Sequence, residues 1–453
     1  MADPNWIFHP FRGIRYDQRG STDLSDLISP PYDVISEQRQ AELYARDEHN
    51  FVRVELARAE AQVRYDEAAR TLRGLLAEGV LLREEHPALY LLTQEFNTGG
   101  RRWRRPGLFG LVRLPEEGER YVLSHEGTLA EPKADRLKLM RACRAMTSPI
   151  MLMLEDQDHK LLDLLRRGLE VGARGGGWAL DDDGVRHEVS DITDPTVLKH
   201  LQEAVGAGPL YIADGHHRFE TAVAYRDEMR ARYPDAPATA GFNYALALVN
   251  SAQDDGLRIF PTHRLISGLD REAMRDLRQC MEQWFEVEER PLPQSNEALD
   301  LTWLEEAELD THAFGAYLGQ SGLLRLAARR KALPTSASVV GRLDVSILHR
   351  LLVDPALAGS GCSLDAEGGV SHDSHAAGPA ARGPRLTYTT DSAEAVAAVD
   401  RGDYDVAFFL RPTRVADVIA AARAGERMPG KSTYFHPKIP AGLVVSDASE
   451  EPI

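Results

Sequence analysis

The chain has 453 residues, 43% hydrophobic and 27% charged, enough to bury a sizeable core and divide into two or three domains, which excludes disorder throughout. Its 53 basic against 70 acidic side chains give a formal net charge of −17, a balance that repels phosphodiester backbones and anionic lipid and so excludes general nucleic-acid or membrane-surface binding from the expectation. Cys143, Cys280 and Cys362 form no CxxC pair and have no histidine at metal-ligand spacing, so reduced thiols are expected; with no signal-like start and no apolar run near the roughly 18 residues of a spanning helix, the reading is a cytoplasmic protein.

In chain order, Tyr65, Ala68, Ala69, Leu72, Leu75 and Leu76 recur at helical spacing and Gly79 supplies a stop, which predicts an amphipathic helix over 63–76. ALYLLTQEF (88–96) is strand-like, NTGG (97–100) is a turn, and 101–105 with 107–114 offer returning strands, so an antiparallel sheet is expected. A short helix over 197–205 is followed by PLYIA (209–213), a buried-strand run, and by the helical RFETAVAYRDEMRARY (218–233). Asp214, Gly215, His216 and His217 therefore fall on a strand-to-helix turn. NYALALV (243–249) reads as another buried strand, RIFPTHRLIS follows a polar loop, and a helix is predicted near 271–284. In the last third a helix over 345–352 precedes a Gly-, Ser-, Ala- and His-rich stretch at 358–384 that reads as a flexible loop. Strand 385–390, helix 392–399, strand 404–410 and helix 413–423 complete a β-α-β-α series. The fold class expected is mixed α/β (α+β), divided into an N-terminal α+β region (1–120), a core carrying the turn (121–290) and a C-terminal α/β region (291–453).

The turn is where chemistry gathers. A helix N-terminus presents unpaired N–H groups and partial positive charge, and Gly215 lets backbone approach a ligand without a Cβ in the way. His216, His217 and Arg218 add donors, while Asp214 repels an anion unless it holds a metal ion. The combination points to a Mg²⁺–phosphate site; the bland alternative is a helix cap with two hydrogen-bonded histidines. A second group, His125, Glu126, Lys133 and Arg136 in SHEGTLAEPKADRLKLMRA, suits proton abstraction by Glu126 with cations nearby, against the alternative of a solvated loop and helix face. His263 and Arg264 end a strand-like run, where they either line a pocket or are structural at a sheet edge. SPPYDVIS (29–36) forces an extended turn and admits a cis bond before Pro30 or Pro31. GERMPGKS (425–432) fits the P-loop spacing but follows a helix rather than a strand, which argues against a true P-loop.

IADGHHRFETA, taken with PFRGIRY, SPPYDVIS, LSHEGTLAEPKADR and KSTYFHPK, resembles the DUF1015 family of uncharacterised bacterial and archaeal proteins over most of the chain. The DGHHR string between a strand and a helix also looks like the phosphate-binding motif of the ParB/sulfiredoxin superfamily, whose free-serine kinases are nearest in the motif. That resemblance implies a ParB/sulfiredoxin-like core with a mixed sheet. It also implies Asp214 on Mg²⁺ and the attacking hydroxyl, Gly215 to Arg218 on donor phosphates, and His125-Glu126 as the family's His-Glu with Glu126 as general base. Glu126 and Asp214 stand 88 positions apart, more than in the compact kinases, so an insertion must intervene. Sulfiredoxin chemistry is unsupported, since His216 occupies the position of its cysteine, and no helix-turn-helix array or basic charge supports DNA partition.

The function expected is a Mg²⁺-dependent phosphotransferase acting on a small hydroxylated metabolite, free L-serine being the first guess, with ATP, ADP or pyrophosphate as donor. The alternatives are a phosphohydrolase or nucleotidase and a non-catalytic nucleotide-binding regulatory protein. Glu126 and Asp214 are the expected catalytic pair and Asp214 the metal ligand. Gly215, His216, His217 and Arg218 hold phosphate, and His125, Lys133, Arg136, His263 and Arg264 play supporting parts.

Overall fold

The computed structural model describes residues 6–17, 22–170, 176–291, 299–306, 311–319, 322–334, 338–359 and 383–453. They form two compact units, one built from residues 1–124, 128–258 and 435–453, the other from 125–127 and 259–434. Within the first unit, residues on both sides of position 120 share one sheet, and the C-terminal segment belongs to it. Strand His263–Ser267 and helix Arg271–Trp284 belong to the second unit.

The first unit holds a mixed sheet of nine described strands. Its order is Val122–Leu123, Leu210–Asp214, Ile150–Leu154, Tyr244–Ser251, Arg101–Arg113, Leu89–Thr98, Arg186–Ile192 and Trp178–Leu180, with Phe8–His9 also pairing with Arg101–Arg113. Tyr244–Ser251 runs parallel to Ile150–Leu154, and Leu210–Asp214 parallel to Val122–Leu123; the other pairings are antiparallel. The central strands IMLML and YALALVNS are buried at every position, as strands covered on both faces must be. Helix His216–Arg232 packs against helix Ala130–Cys143 and the strands Ile150–Leu154 and Tyr244–Ser251, burying Ala222, Tyr225 and Met229.

The stretches 101–105 and 107–114, expected as separate strands, form one strand, Arg101–Arg113. Pro106 sits inside it opposite Thr93, its carbonyl accepting from Asn250 Nδ2 at 2.9 Å. Between flanking strands there is no room at Gly110, where a Cβ would stand 2.3 Å from the Phe8 ring.

The second unit is built on a fully antiparallel sheet of six described strands: Phe285–Arg290, Leu323–Ala328, Ala313–Tyr317, Val406–Phe409, His263–Ser267 and Arg385–Thr389. Period-2 alternation divides its side chains between two cores. Ile266, Phe314, Val406 and Phe408 pack with Leu277 and Met281 of helix Arg271–Trp284 and with Leu348 and Leu352. Leu265, Ala313, Tyr317, Ala407 and Phe409 pack with Ala395 and Ala398 of helix Ser392–Asp400. The β-α-β-α series is present, but its two strands are not neighbours: His263–Ser267 lies between them, antiparallel to both. His263 and Arg264 thus stand on an interior strand rather than at the sheet edge.

Of the cysteines expected as reduced thiols, Cys143 is free, Cys280 is disulfide-bonded, and Cys362 lies outside the described residues. So do residues 360–382 of the stretch expected as a flexible loop. The cis peptide bond among the described residues is His436–Pro437, not one before Pro30 or Pro31. The GERMPGKS run follows helix Val415–Ala424, capped by left-handed Gly425, so no strand leads into it. Among the described residues no helix is long and apolar enough to cross a membrane. Filling the space at Gly110 should strain the sheet: Gly110→Ala is expected to lower stability by about 1–3 kcal/mol, read as a lower urea midpoint at unchanged slope, and an unshifted midpoint would contradict the packing described.

Candidate functional site

Strand Leu210–Asp214 is buried through Ala213, and its register against Ile150–Leu154 shifts between Ile212 and Asp214, an irregularity of the kind that re-aims the side chain at its end. Gly215 caps helix His216–Arg232 with φ +92° and ψ 30°. Only glycine adopts this conformation without strain, and a Cβ there would also meet the Arg218 guanidinium at 3.0 Å. Asp214 does not cap the helix. Its Oδ2 accepts from the Arg218 Nη2 at 2.5 Å, and its Oδ1 accepts from Lys438 Nζ at 2.5 Å. The other terminal nitrogen of Arg218 donates to the Pro149 carbonyl.

Burial disfavours the ionised form of Asp214, but Lys438 and Arg218 outweigh it and hold the carboxyl well below the ordinary carboxylate range. Two cations thus meet one carboxylate at the positive end of a 17-residue helix.

Lys438 was not among the expected site residues. Its motif, KSTYFHPK, was conspicuous, but nothing in a single sequence reports that a lysine 224 positions from Asp214 returns to it.

The loop before helix Ala130–Cys143 is tied to the same turn. Leu129 N–H donates to His217 Nε2 at 2.9 Å, which makes that nitrogen an acceptor and leaves the ring proton on Nδ1. Glu220, one turn further along the helix, accepts from Thr128 Oγ1 at 2.5 Å and from Lys133 Nζ at 2.8 Å. Lys133 is therefore engaged by Glu220, and His216 is buried at the helix start.

Arg136 goes elsewhere. It pairs with Asp135 at 2.5 Å and with buried Glu55 at 3.3 Å, and lies 3.9 Å over the Tyr32 ring of SPPYDVIS. Glu55 also accepts from Thr147 Oγ1 at 2.6 Å and Ser148 Oγ at 2.8 Å. Glu55, Arg136, Thr147, Ser148 and Arg218 line a cavity of about 30 Å³, room for about one water. The Glu55 cluster thus anchors the segment whose next residue, Pro149, receives Arg218.

His125 and Glu126 belong to the second unit. There the His125 carbonyl accepts from Met428 N–H and the Glu126 carbonyl from Arg427, each at 2.8 Å. His263 and Arg264 are buried in the same unit. Burial, then neighbouring Arg264, lowers the His263 pKa to about 4, and burial lowers that of Arg264 to about 10. Arg264 donates to the carbonyls of Thr262 and Lys431 and to His349 Nε2 at 3.4 Å, the bonding of a structural residue.

With this geometry in hand, the family described as "Protein of unknown function (DUF1015)" matches residues 8–346. The chain belongs to that family. No curated protein matches it. Among solved structures, a conserved hypothetical protein from Pyrococcus furiosus is similar at 14% identity and TM-score 0.34, covering 73% of this chain and 92% of its own. A free serine kinase in complex with AMP is similar at 14% identity and TM-score 0.33, covering 70% and 83%. SbnI with a C-terminal truncation, from Staphylococcus aureus, is similar at 9% identity and TM-score 0.30, covering 73% and 84%.

Two outcomes check the turn. Gly215→Ala is expected to cost about 1–2 kcal/mol through its left-handed backbone, read as a lower melting temperature; a melting temperature equal to wild type would contradict the φ described. The Asp214 pKa is lower folded than unfolded, so its stabilising contribution is complete above the unfolded value of about 3.9 and is lost as pH falls through that value towards the folded one. The stability advantage of wild type over Asp214→Asn should therefore shrink below about pH 4; an advantage that grows on acidification would show that the two cations do not hold this carboxylate.

Proposed function

We propose that this protein is a Mg²⁺-dependent phosphotransferase that moves a phosphoryl group from ATP, ADP or pyrophosphate to a small hydroxylated metabolite, with free L-serine the first acceptor to test. The observation that carries the reading is Asp214, ionised between Lys438 and Arg218 at a helix N-terminus. Phosphoryl transfer asks for a clamped donor, a neutralising cation and an oriented hydroxyl. The helix N-terminus at His216 to Arg218 and the ammonium of Lys438 supply a positive seat for donor phosphates. An Mg²⁺ ion takes carboxylate and phosphate oxygens, and Asp214 would hold it through the oxygen lone pairs that its bonds to Arg218 and Lys438 leave open, with donor phosphates offsetting the added charge.

In the reaction the acceptor oxygen bonds to phosphorus, the bond from phosphorus to the leaving oxygen breaks, and a general base takes the hydroxyl proton. The DGHHR and His-Glu resemblance assigns that base to Glu126. Its part rests on the motif, while those of Asp214 and Lys438 rest on geometry as well.

The test incubates purified protein with Mg²⁺, each donor and a pool of hydroxy amino acids and follows gain of phosphate mass. Phosphate released without an acceptor would identify a phosphohydrolase instead, and stoichiometric nucleotide binding without product a non-catalytic binding protein. Asp214→Asn is expected to abolish transfer with the fold intact, and retained phosphorylation would reject the assignment. Glu126→Gln is expected to lose about 10²–10⁴ in rate with donor binding preserved; an unchanged rate removes Glu126 from the mechanism.

A further inference from the structure

Lys438 is held by its backbone as well as by Asp214. Arg105 is wholly buried, and its hydrogen bonds run to neutral acceptors: Nε to Gln94 Oε1 at 3.0 Å, one terminal nitrogen to the His436 carbonyl at 3.1 Å, the other to the Pro437 carbonyl at 2.6 Å. Gln94 Nε2 donates to the Lys438 carbonyl at 3.0 Å, so three consecutive carbonyls are gripped by two side chains.

The orientation of this group is forced. A guanidinium only donates, so the Gln94 oxygen faces Arg105 and its amide nitrogen faces the segment 436–438 and His187 Nδ1, 3.1 Å away. His187 Nδ1 then accepts, and its Nε2 donates to Asp181 Oδ2 at 2.8 Å. The row is also set by strand register: His187 stands opposite Gln94 and Gln94 opposite Arg105 on three adjacent strands.

Burial lowers the Arg105 pKa to about 9, with Asp254 and Asp214 raising it, a measure of how costly a cation is at this place. A cation held there by neutral partners needs a reason beyond packing.

We propose that Arg105, in its cross-strand row with Gln94 and His187, is a positioning residue that fixes the backbone of residues 436–438 and so delivers the Lys438 ammonium to Asp214 and to the phosphoryl group being transferred. The catalytic half of this statement rests on the phosphotransferase reading; the positioning half does not.

Acylation of Lys438 by an N-hydroxysuccinimide ester, followed by mass spectrometry, reads the positioning without turnover, with exposed Lys199 as internal standard. In wild type the Lys438 ammonium, paired and 17% exposed, should react slowly. In Arg105→Lys, which keeps the charge and loses the fork, Lys438 should react on the order of tenfold faster while Lys199 does not change. Turnover of that variant should fall about 10²-fold, and donor KM should rise as the phosphate seat loses its lysine. A folded Arg105→Lys whose Lys438 reacts at the wild-type rate overturns the positioning, and one with unchanged turnover overturns its catalytic purpose. Should Arg105→Lys not fold, Gln94→Leu carries the same test, since it removes the bond to the Lys438 carbonyl and the acceptor of Arg105. If no donor and acceptor give product with wild type, the phosphotransferase reading fails while the labelling still decides the positioning.

Discussion

The carboxylate of Asp214, shared between Arg218 four residues later and Lys438 224 residues later, is the interaction on which the site depends. Charge-assisted hydrogen bonds of this kind are worth about 1.5–3 kcal/mol each, and they outweigh the burial that disfavours the ionised carboxyl. Removing either cation would change more than one contact. Arg218 also reaches the Pro149 carbonyl, and the two residues before Pro149 are held by buried Glu55, so the turn is braced from beneath by groups remote in sequence. Lys438 is braced from the other direction by Arg105 and Gln94.

This arrangement requires residues 435–453 to fold with the first unit. They do so by burying Leu443, Val444 and Val445, by pairing Ser446–Asp447 with Ala145–Met146, and by exchanging backbone hydrogen bonds between Val445 and Ile14. Such pairings fix the segment along its length, and a lysine carried on it inherits that fixity. DUF1015 motifs far apart in the chain, SPPYDVIS, DGHHR and KSTYFHPK, include residues of one unit that are linked in turn: Tyr32 stacks on Arg136, Arg136 and Arg218 line one small cavity, and Arg218 and Lys438 meet at Asp214.

Local pattern was enough to locate what local physics decides. The helix predicted over 63–76 is Val63–Ala77, that near 271–284 is Arg271–Trp284, and the strand-to-helix turn at Asp214 falls where the buried run and the amphipathic run abut. What local pattern lacks is pairing. IMLML became a central strand, but five apolar residues after a Ser-Pro step do not distinguish a strand from a helix start. His263–Ser267 carries a polar His-Arg pair that argues for an edge, yet it lies between two strands because its neighbours come from more than 100 residues later. Arg105 is the last residue of the RRWRR run, which the sequence places only on a returning strand. The structure buries it opposite Gln94, where its bonds to the His436 and Pro437 carbonyls could not be read from the sequence.

The convergence of two cations on Asp214 also bears on whether the ion pairs are merely structural. A structural tie between the C-terminal segment and the strand end needs one cation for one carboxylate, and well-packed apolar groups often serve as well, because desolvating charges offsets most of their attraction. Here two cations converge on Asp214, and Arg105 lies close enough for Asp214 to influence its pKa. As a device for stability this is poor, since a second cation is desolvated at a carboxylate that one would already neutralise. Under the proposed phosphotransferase reading the second cation has a use, because a phosphate entering beside the helix N-terminus would meet both the helix dipole and the Lys438 ammonium and turn a local cost into binding free energy.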